Sequence, residues 1–270
     1  MSNQTYTIAM ELGLKGKLAI VTGPAKGMGA AITLALAKEG VDLCLAGRDM
    51  DAISPVATEA RTLGRKVIQV RCDVTDAAQV DQLIGEAMEN FGKIDILVNV
   101  AGGRGPLETA AWDTTPEAFD EVVELNMKGC FLTMRAVTPA MRKQRSGKIV
   151  NIGGTFGLRG RALRVGYSAS KWGLRGITKA FALELGPYNV TVNNVCPGMV
   201  DGPRFRKVCE EMAKRLGISL EEAMRKHAED CALKRVSTDQ DVANAVLFCA
   251  SDVSRQITGQ DIAVDGGWVI

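Results

Sequence analysis

The chain has one histidine, His227, among 270 residues. That scarcity excludes metal motifs built on histidine pairs and any ordinary histidine-centred catalytic triad. No apolar run reaches the roughly 18 residues that a membrane-spanning helix needs. Met1–Glu11 has no basic segment leading into an apolar core, so it does not read as a secretory signal. Seven cysteines are scattered through apolar segments without a Cys-x-x-Cys pair. This usage suits reduced, mostly buried thiols in a cytoplasm and offers no metal site. The net charge of +2 gives no reason to expect nucleic acid or a membrane surface as partner. No Pro/Gly/Ser-rich linker, repeat or low-complexity stretch divides the chain, so residues 1–270 read as one domain.

What the sequence does hold is a regular alternation. Lys17–Thr22, Val41–Ala46, Lys66–Arg71, Ile94–Asn99, Lys148–Ile152, Val190–Val195 and Asp261–Val264 read as strands. Most are nearly continuous apolar runs, as parallel strands buried on both faces should be. Helical patterns lie between them, among them Ala30–Glu39, Ala77–Phe91, Pro116–Met141 and Tyr167–Gly186. The alternation predicts an α/β, doubly wound parallel sheet of about seven strands with helices on both faces. Residues 1–14 read as an irregular tail. Residues 201–235 read as a substrate-loop insertion of lid type, helical within, because Ser219 and Glu222 form a capping-box pattern. His227 reads as a surface residue of that lid.

Gly23, Lys26, Gly27 and Gly29 lie where the first strand turns into the first helix. Glycines there let the backbone approach a pyrophosphate, and the helix start adds free N–H groups and its positive dipole end. The second strand ends on Gly47 and Arg48 rather than on an acid. An acid would bind both ribose hydroxyls, whereas an arginine fork suits a 2′-phosphate. With Lys26 nearby, the expected cofactor is NADP(H), with NAD(H) as the alternative. Asp49 reads as the cap of a helix starting near Met50.

Tyr167 and Lys171 stand one helical turn apart on one face. A neighbouring ammonium favours the charged form of a phenol, which makes Tyr167 a candidate general acid/base. TGPAKGMG at 22–29, CDVTD at 72–76, NVAG at 99–102, Asn126, YSASK at 167–171 and PG at 197–198 together resemble the short-chain dehydrogenases/reductases. The resemblance runs from about Gly16 to Trp268. It implies a Rossmann fold, usually a homotetramer, that moves a hydride between a nicotinamide and a carbonyl or alcohol carbon. It implies that Asp73 holds the adenine, with Val74 beside it, and that Asn99, Ala101 and Gly102 line the adenosine side. Lys171 would bind the nicotinamide ribose and assist Tyr167, and Asn126 would hold a water of the proton relay. Met28, Pro197, Gly198 and Val200 complete the implied cofactor contacts.

The chain departs from this pattern in three places. Gly154 stands where the family usually has the serine that bonds the substrate oxygen. Thr155 is the possible substitute, but only a bulge at Gly153–Gly154 would turn it inward. Val100 replaces a second asparagine, and Gly202 stands where a threonine often touches the carboxamide. Arg104, Arg159, Arg161, Arg164, Arg204 and Arg206 lie in the three loops that surround the substrate mouth of such a fold. They suggest an anionic substrate: a carboxylate, a phosphate or a coenzyme A ester. The expected function is a cytoplasmic oxidoreductase acting on a secondary alcohol/ketone pair. Two alternatives stand beside it: a non-catalytic NADP(H)-binding sensor or scaffold that lost the serine, and a 3-oxoacyl thioester reductase.

Overall fold

The computed structural model describes residues 11–269, apart from the side chain of Arg204. Met1–Met10 of the expected tail therefore lie outside the described residues, and 11–14 form no regular element. The seven expected strands all form: β1 (Leu18–Thr22), β2 (Asp42–Gly47), β3 (Val67–Arg71), β4 (Ile96–Asn99), β5 (Gly147–Ile152), β6 (Val190–Pro197) and β7 (Asp261–Val264). They pair in parallel in the order β3-β2-β1-β4-β5-β6-β7.

Strand alternation explains the layers. Ala19 and Val21 of β1 and Leu43 and Leu45 of β2 join one apolar cluster, while Leu18, Ile20, Cys44 and Ala46 join another on the opposite face. The first cluster packs against α1 (Met28–Lys38), α2 (Met50–Thr62) and α9 (Asp239–Ala250). The second packs against α3 (Ala77–Phe91), α5 (Gly129–Gln144) and α6 (Val165–Leu185). The strand order reverses between β1 and β4, the switch point where an open, parallel α/β sheet leaves a crevice at the strands' carboxyl ends.

The expected helix over 116–141 is interrupted. It consists of α4 (Pro116–Val123), a π turn (Glu124–Lys128) and α5 in one continuous stretch. The insertion contains α7 (Pro203–Leu216) and α8 (Leu220–Glu229), which share a small apolar cluster built on Phe205, Cys209 and Ala223. Ser219 caps α8 by accepting from the Glu222 amide at 3.1 Å, but the Glu222 carboxylate lies 3.8 Å from Arg225, so only half of the capping box closes. His227 is not a surface residue. It follows Ala223 by one turn on the inward face of α8, is 7% exposed, and meets Phe205 edge-on at 5.6 Å.

Candidate active site

The cleft at the switch point starts from the turn 22–29. Gly23 and Gly27 adopt φ of 67° and 56°, and Thr22 Oγ1 accepts from the amides of Val100 and Ala101 at 3.1 Å each. This ties the glycine turn to the 99–102 segment. A Cβ on Gly29 would lie 2.1 Å from the Gly23 carbonyl oxygen, so the third glycine is required for the helix to pack on the turn. α1 then begins at Gly27 with no side-chain cap and no acid in its first turn, which leaves its N–H groups and dipole available to an anion.

Lys26 is exposed, and Met28 packs against the core. At the adenosine end, Arg48 lies 3.7 Å from Asp73. Asp73 Oδ1 accepts from the Thr75 amide at 3.0 Å and from its hydroxyl at 2.8 Å, and these bonds hold the carboxyl below its usual range. Asp49 caps α2 through the Ala52 amide at 3.0 Å, as expected, and does not face the cleft as a free acid. Val74 is buried against Gly129. Gly198 runs so close to Asp265 that a Cβ would lie 2.7 Å from the Asp265 Cβ, and Val200 bridges Ser237.

On α6, Tyr167 and Lys171 share a face, with the Lys171 Nζ 5.7 Å from the phenol ring centre. Lys171 is buried and donates to the Ile152 carbonyl at 2.8 Å, so the end of β5 fixes it. Asn126 sits fully buried in the π turn. Its Oδ1 accepts from the Gly103 amide at 2.8 Å, and its Nδ2 donates to the Gly103 carbonyl at 2.8 Å and to Ser170 Oγ at 3.2 Å. Both Nδ2 protons are thus committed, and the side chain braces the 101–105 loop. Asn99 is likewise engaged, donating to Asn151 at 2.9 Å and accepting from Thr133 at 2.7 Å.

No bulge ends β5. Gly154 takes φ 154° and ψ 153°, a conformation confined to glycine, and the chain turns directly into a short helical turn over Thr155–Gly157 with Thr155 buried at its head. A Cβ at Gly154 would lie 3.4 Å from Tyr167 Oη. The position therefore faces the phenol.

Around the mouth, Phe156 meets the Tyr167 ring edge-on at 6.0 Å and Trp268 at 5.6 Å. Arg159 lies over Trp268 at 4.5 Å, Arg161 over Phe156 at 5.2 Å, and Arg164 over the Tyr167 ring at 5.0 Å. Arg164 also donates to the Arg104 carbonyl at 2.8 Å. Among the described residues, none of these three arginines pairs with a carboxylate. Arg206 is exposed on α7, and the Arg204 side chain lies outside those described.

A family model described as enoyl-(acyl carrier protein) reductase matches residues 23–269. The chain belongs to the short-chain dehydrogenase/reductase family of oxidoreductases. It is 36% identical over 258 residues to a 3-oxoacyl-[acyl-carrier-protein] reductase of Thermotoga maritima, covering 95% of this chain and 99% of that protein. It superimposes on a variant of the actinorhodin polyketide ketoreductase with NADPH at a TM-score of 0.87, with 32% identity, 97% of this chain and 99% of the other covered. It superimposes on an NAD+-bound xylitol dehydrogenase at a TM-score of 0.89, with 29% identity, 94% of this chain and 99% of the other covered.

The short-chain dehydrogenase/reductase motifs, far apart in sequence, converge at one end of the sheet. Sequence reasoning missed Phe156 and Trp268 and placed His227 on the surface. Phe156 and Trp268 carry no local signal, since their roles depend on the C-terminal segment folding back beside the 155–164 loop. His227 could have been found by its spacing of four from Ala223 on an amphipathic helix.

Proposed function

We propose that this chain interconverts a secondary alcohol and a ketone on an anionic substrate, with NADP(H) as the preferred cofactor and NAD(H) as the alternative. The observation that carries the reading is the cluster at the end of β5: Tyr167 Oη faces Gly154, with Lys171 held behind it by Ile152. The residues present fit a nicotinamide dinucleotide. The uncapped start of α1 suits the pyrophosphate, and Arg48, exposed beside Asp73, suits a ribose 2′-phosphate. A bound nicotinamide would supply or accept the hydride.

The chain's own residues do the rest. Tyr167 gives its phenolic proton to the substrate oxygen in reduction and takes it back in oxidation. Lys171 holds its ammonium beside the phenol, and Asn126 fixes the loop that forms the opposite wall. Phe156 and Trp268 exclude water from the mouth, and Arg159, Arg161 and Arg164 receive the substrate's negative charge. The likeness to the Thermotoga maritima reductase favours a second reading, a 3-oxoacyl thioester as substrate. Exposed Phe131, Trp172 and Leu183 on α5 and α6 offer apolar surface for self-association, and the homotetramer proposed for the chain is measured by light scattering.

The test compares unmodified protein and Tyr167→Phe on a carboxylated ketone, its ester and a 3-oxoacyl thioester, with both nicotinamides. Expected are loss of turnover with cofactor affinity retained in the variant, and preference for the charged ketone in the parent. Substantial activity in Tyr167→Phe would refute the mechanism, and it would also be excluded if no substrate were turned over by protein that binds NADPH.

A further inference from the structure

Two buried nitrogens, His227 Nε2 and Arg164 Nε, have no hydrogen-bond partner among the described residues. Buried polar atoms are almost always paired, so an unpaired one marks a place for a water or a ligand. The two come from different parts of the chain, the end of α8 and the start of α6. The two regions meet at the C-terminal segment: Leu233, just beyond α8, donates its amide to the Gly266 carbonyl at 2.9 Å, and Arg161 lies over Trp268 at 6.0 Å and over Phe156 at 5.2 Å, a ring that Arg164 also faces at 6.0 Å. Among the described residues neither arginine is neutralised by an ion pair. These cations therefore stand beside the reacting phenol, with the Phe156 ring between Arg161 and Tyr167.

We propose that His227, Arg161 and Arg164 form a subsite for an oxyanion group of the substrate, a carboxylate or a phosphate, and that His227 takes up a proton from solvent as that group binds. The proposal rests on the anionic-substrate reading above and assigns the lid a recognition role within it. Protonation of the neutral imidazole converts both ring nitrogens into donors, so Nε2 gains a partner at the moment the charge arrives.

The electrostatics point the same way. Burial pushes the His227 imidazole below its ordinary range and Arg161 pushes it further, while Asp230, at the end of the same helix, opposes them. The facing helix α7 presents the uncharged Phe205 to it. An oxyanion set between Arg161 and His227 screens the first and attracts the second, which raises the imidazole's pKa. Binding is then tightest below the pKa of the complex and weakens as pH rises through it.

His227 is the only histidine in the sequence, so protein grown on 13C-labelled histidine and carrying no histidine tag gives one imidazole signal. Its titration is followed with NADP+ present, so that no reduction runs, with acetoacetate, methyl acetoacetate and inorganic phosphate as probes. The expected result is a midpoint that rises by about one unit with acetoacetate or phosphate, equivalent to a roughly tenfold preference for the protonated form, and stays put with the ester. Whichever anion moves it identifies the source of the oxyanion. Arg161→Gln should raise the midpoint of the free protein and abolish the response to the probe. In kinetics, His227→Asn should raise KM for acetoacetate about tenfold near pH 6, with kcat unchanged and the gap closing near pH 8. A midpoint that moves with none of the probes overturns the proposal. If the acid is preferred over the ester while the midpoint stays still, the anionic reading stands and the role of His227 falls. If acid and ester are turned over equally, the underlying reading itself fails.

Discussion

Replacing Gly154 by serine tests the site at its most unusual position. The backbone there, φ 154° and ψ 153°, is one that side-chain-bearing residues rarely adopt, and holding a residue in it costs about 1–3 kcal/mol. At about 2–4 °C per kcal/mol for a chain of this size, Gly154→Ser should melt several degrees lower than the parent. Space is not the obstacle, because the new Cβ lies at 3.4 Å from Tyr167 Oη, an ordinary contact distance. A hydroxyl on that carbon is within reach of the substrate oxygen that the phenol serves, and one donor to a developing oxyanion is worth about 10²–10³ in kcat. Small generic ketones should therefore be reduced faster by Gly154→Ser, and a bulky substrate that uses the space of the missing side chain more slowly. Gly154→Ala is the control, since it carries the same backbone cost without the hydroxyl. The assay is NADPH oxidation, followed by its absorbance, on a small diketone, alongside thermal melts of all three proteins. Equal kcat in the serine and alanine variants would show that the hydroxyl does nothing, and an unchanged melting temperature in both would refute the conformational argument.

Three further outcomes are expected. Arg48→Ala should weaken NADPH binding by about tenfold and NADH binding far less, the lower end for a charge-assisted contact because the side chain is 75% exposed; equal losses would refute the 2′-phosphate assignment. All seven cysteines are buried, and burial pushes the thiols of Cys44 and Cys249 up to about 12 and those of Cys72, Cys130 and Cys196 up to about 11. Ellman's reagent should label native protein slowly and unfolded protein completely, and a burst of labelling in the native state would contradict this. Burial alone would raise the carboxyl of Asp261, but bonds from Lys179, Asn194 and Arg175 outweigh it and hold it below its usual range. Asp261→Asn should cost about 1–3 kcal/mol at neutral pH. The stabilisation present above about pH 3.9 in the parent should fade as pH falls through the lower folded-state pKa, and urea midpoints at both pH values decide it.

The sheet was legible because its central strands are buried on both faces, and an apolar run such as Ile96–Asn99 needs no tertiary context to be recognised. The cofactor turn was legible for a related reason. Its glycines answer to local backbone geometry, as Gly23, Gly27 and Gly29 do. The π turn at Glu124–Lys128 was not, since one extra residue per turn hardly disturbs an apolar stripe read over a long window. His227 was misread because polarity was weighed above its spacing from Ala223. The shape of the strand end at Gly154 depends on one dihedral that the residue type permits but does not dictate. The aromatic–arginine mouth could not be read at all, because Trp268 meets Phe156 across more than a hundred residues of chain.

The open start of α1 has a consequence for stability as well as for binding. Several helices elsewhere in the fold are closed by their own side chains: Asp49, Asp76, Thr115 and Thr238 each accept from the first turn that follows. α1 has no such closure, yet it lies in the middle of the molecule, packed on the central strands. A phosphate bound there would complete the element as a side-chain oxygen does for its neighbours. Occupied at a hundred times its dissociation constant, the site would add about 2.7 kcal/mol to the folded state. Resistance of the protein to heat and to proteases should then follow the supply of dinucleotide, which makes the cofactor part of what keeps the chain folded.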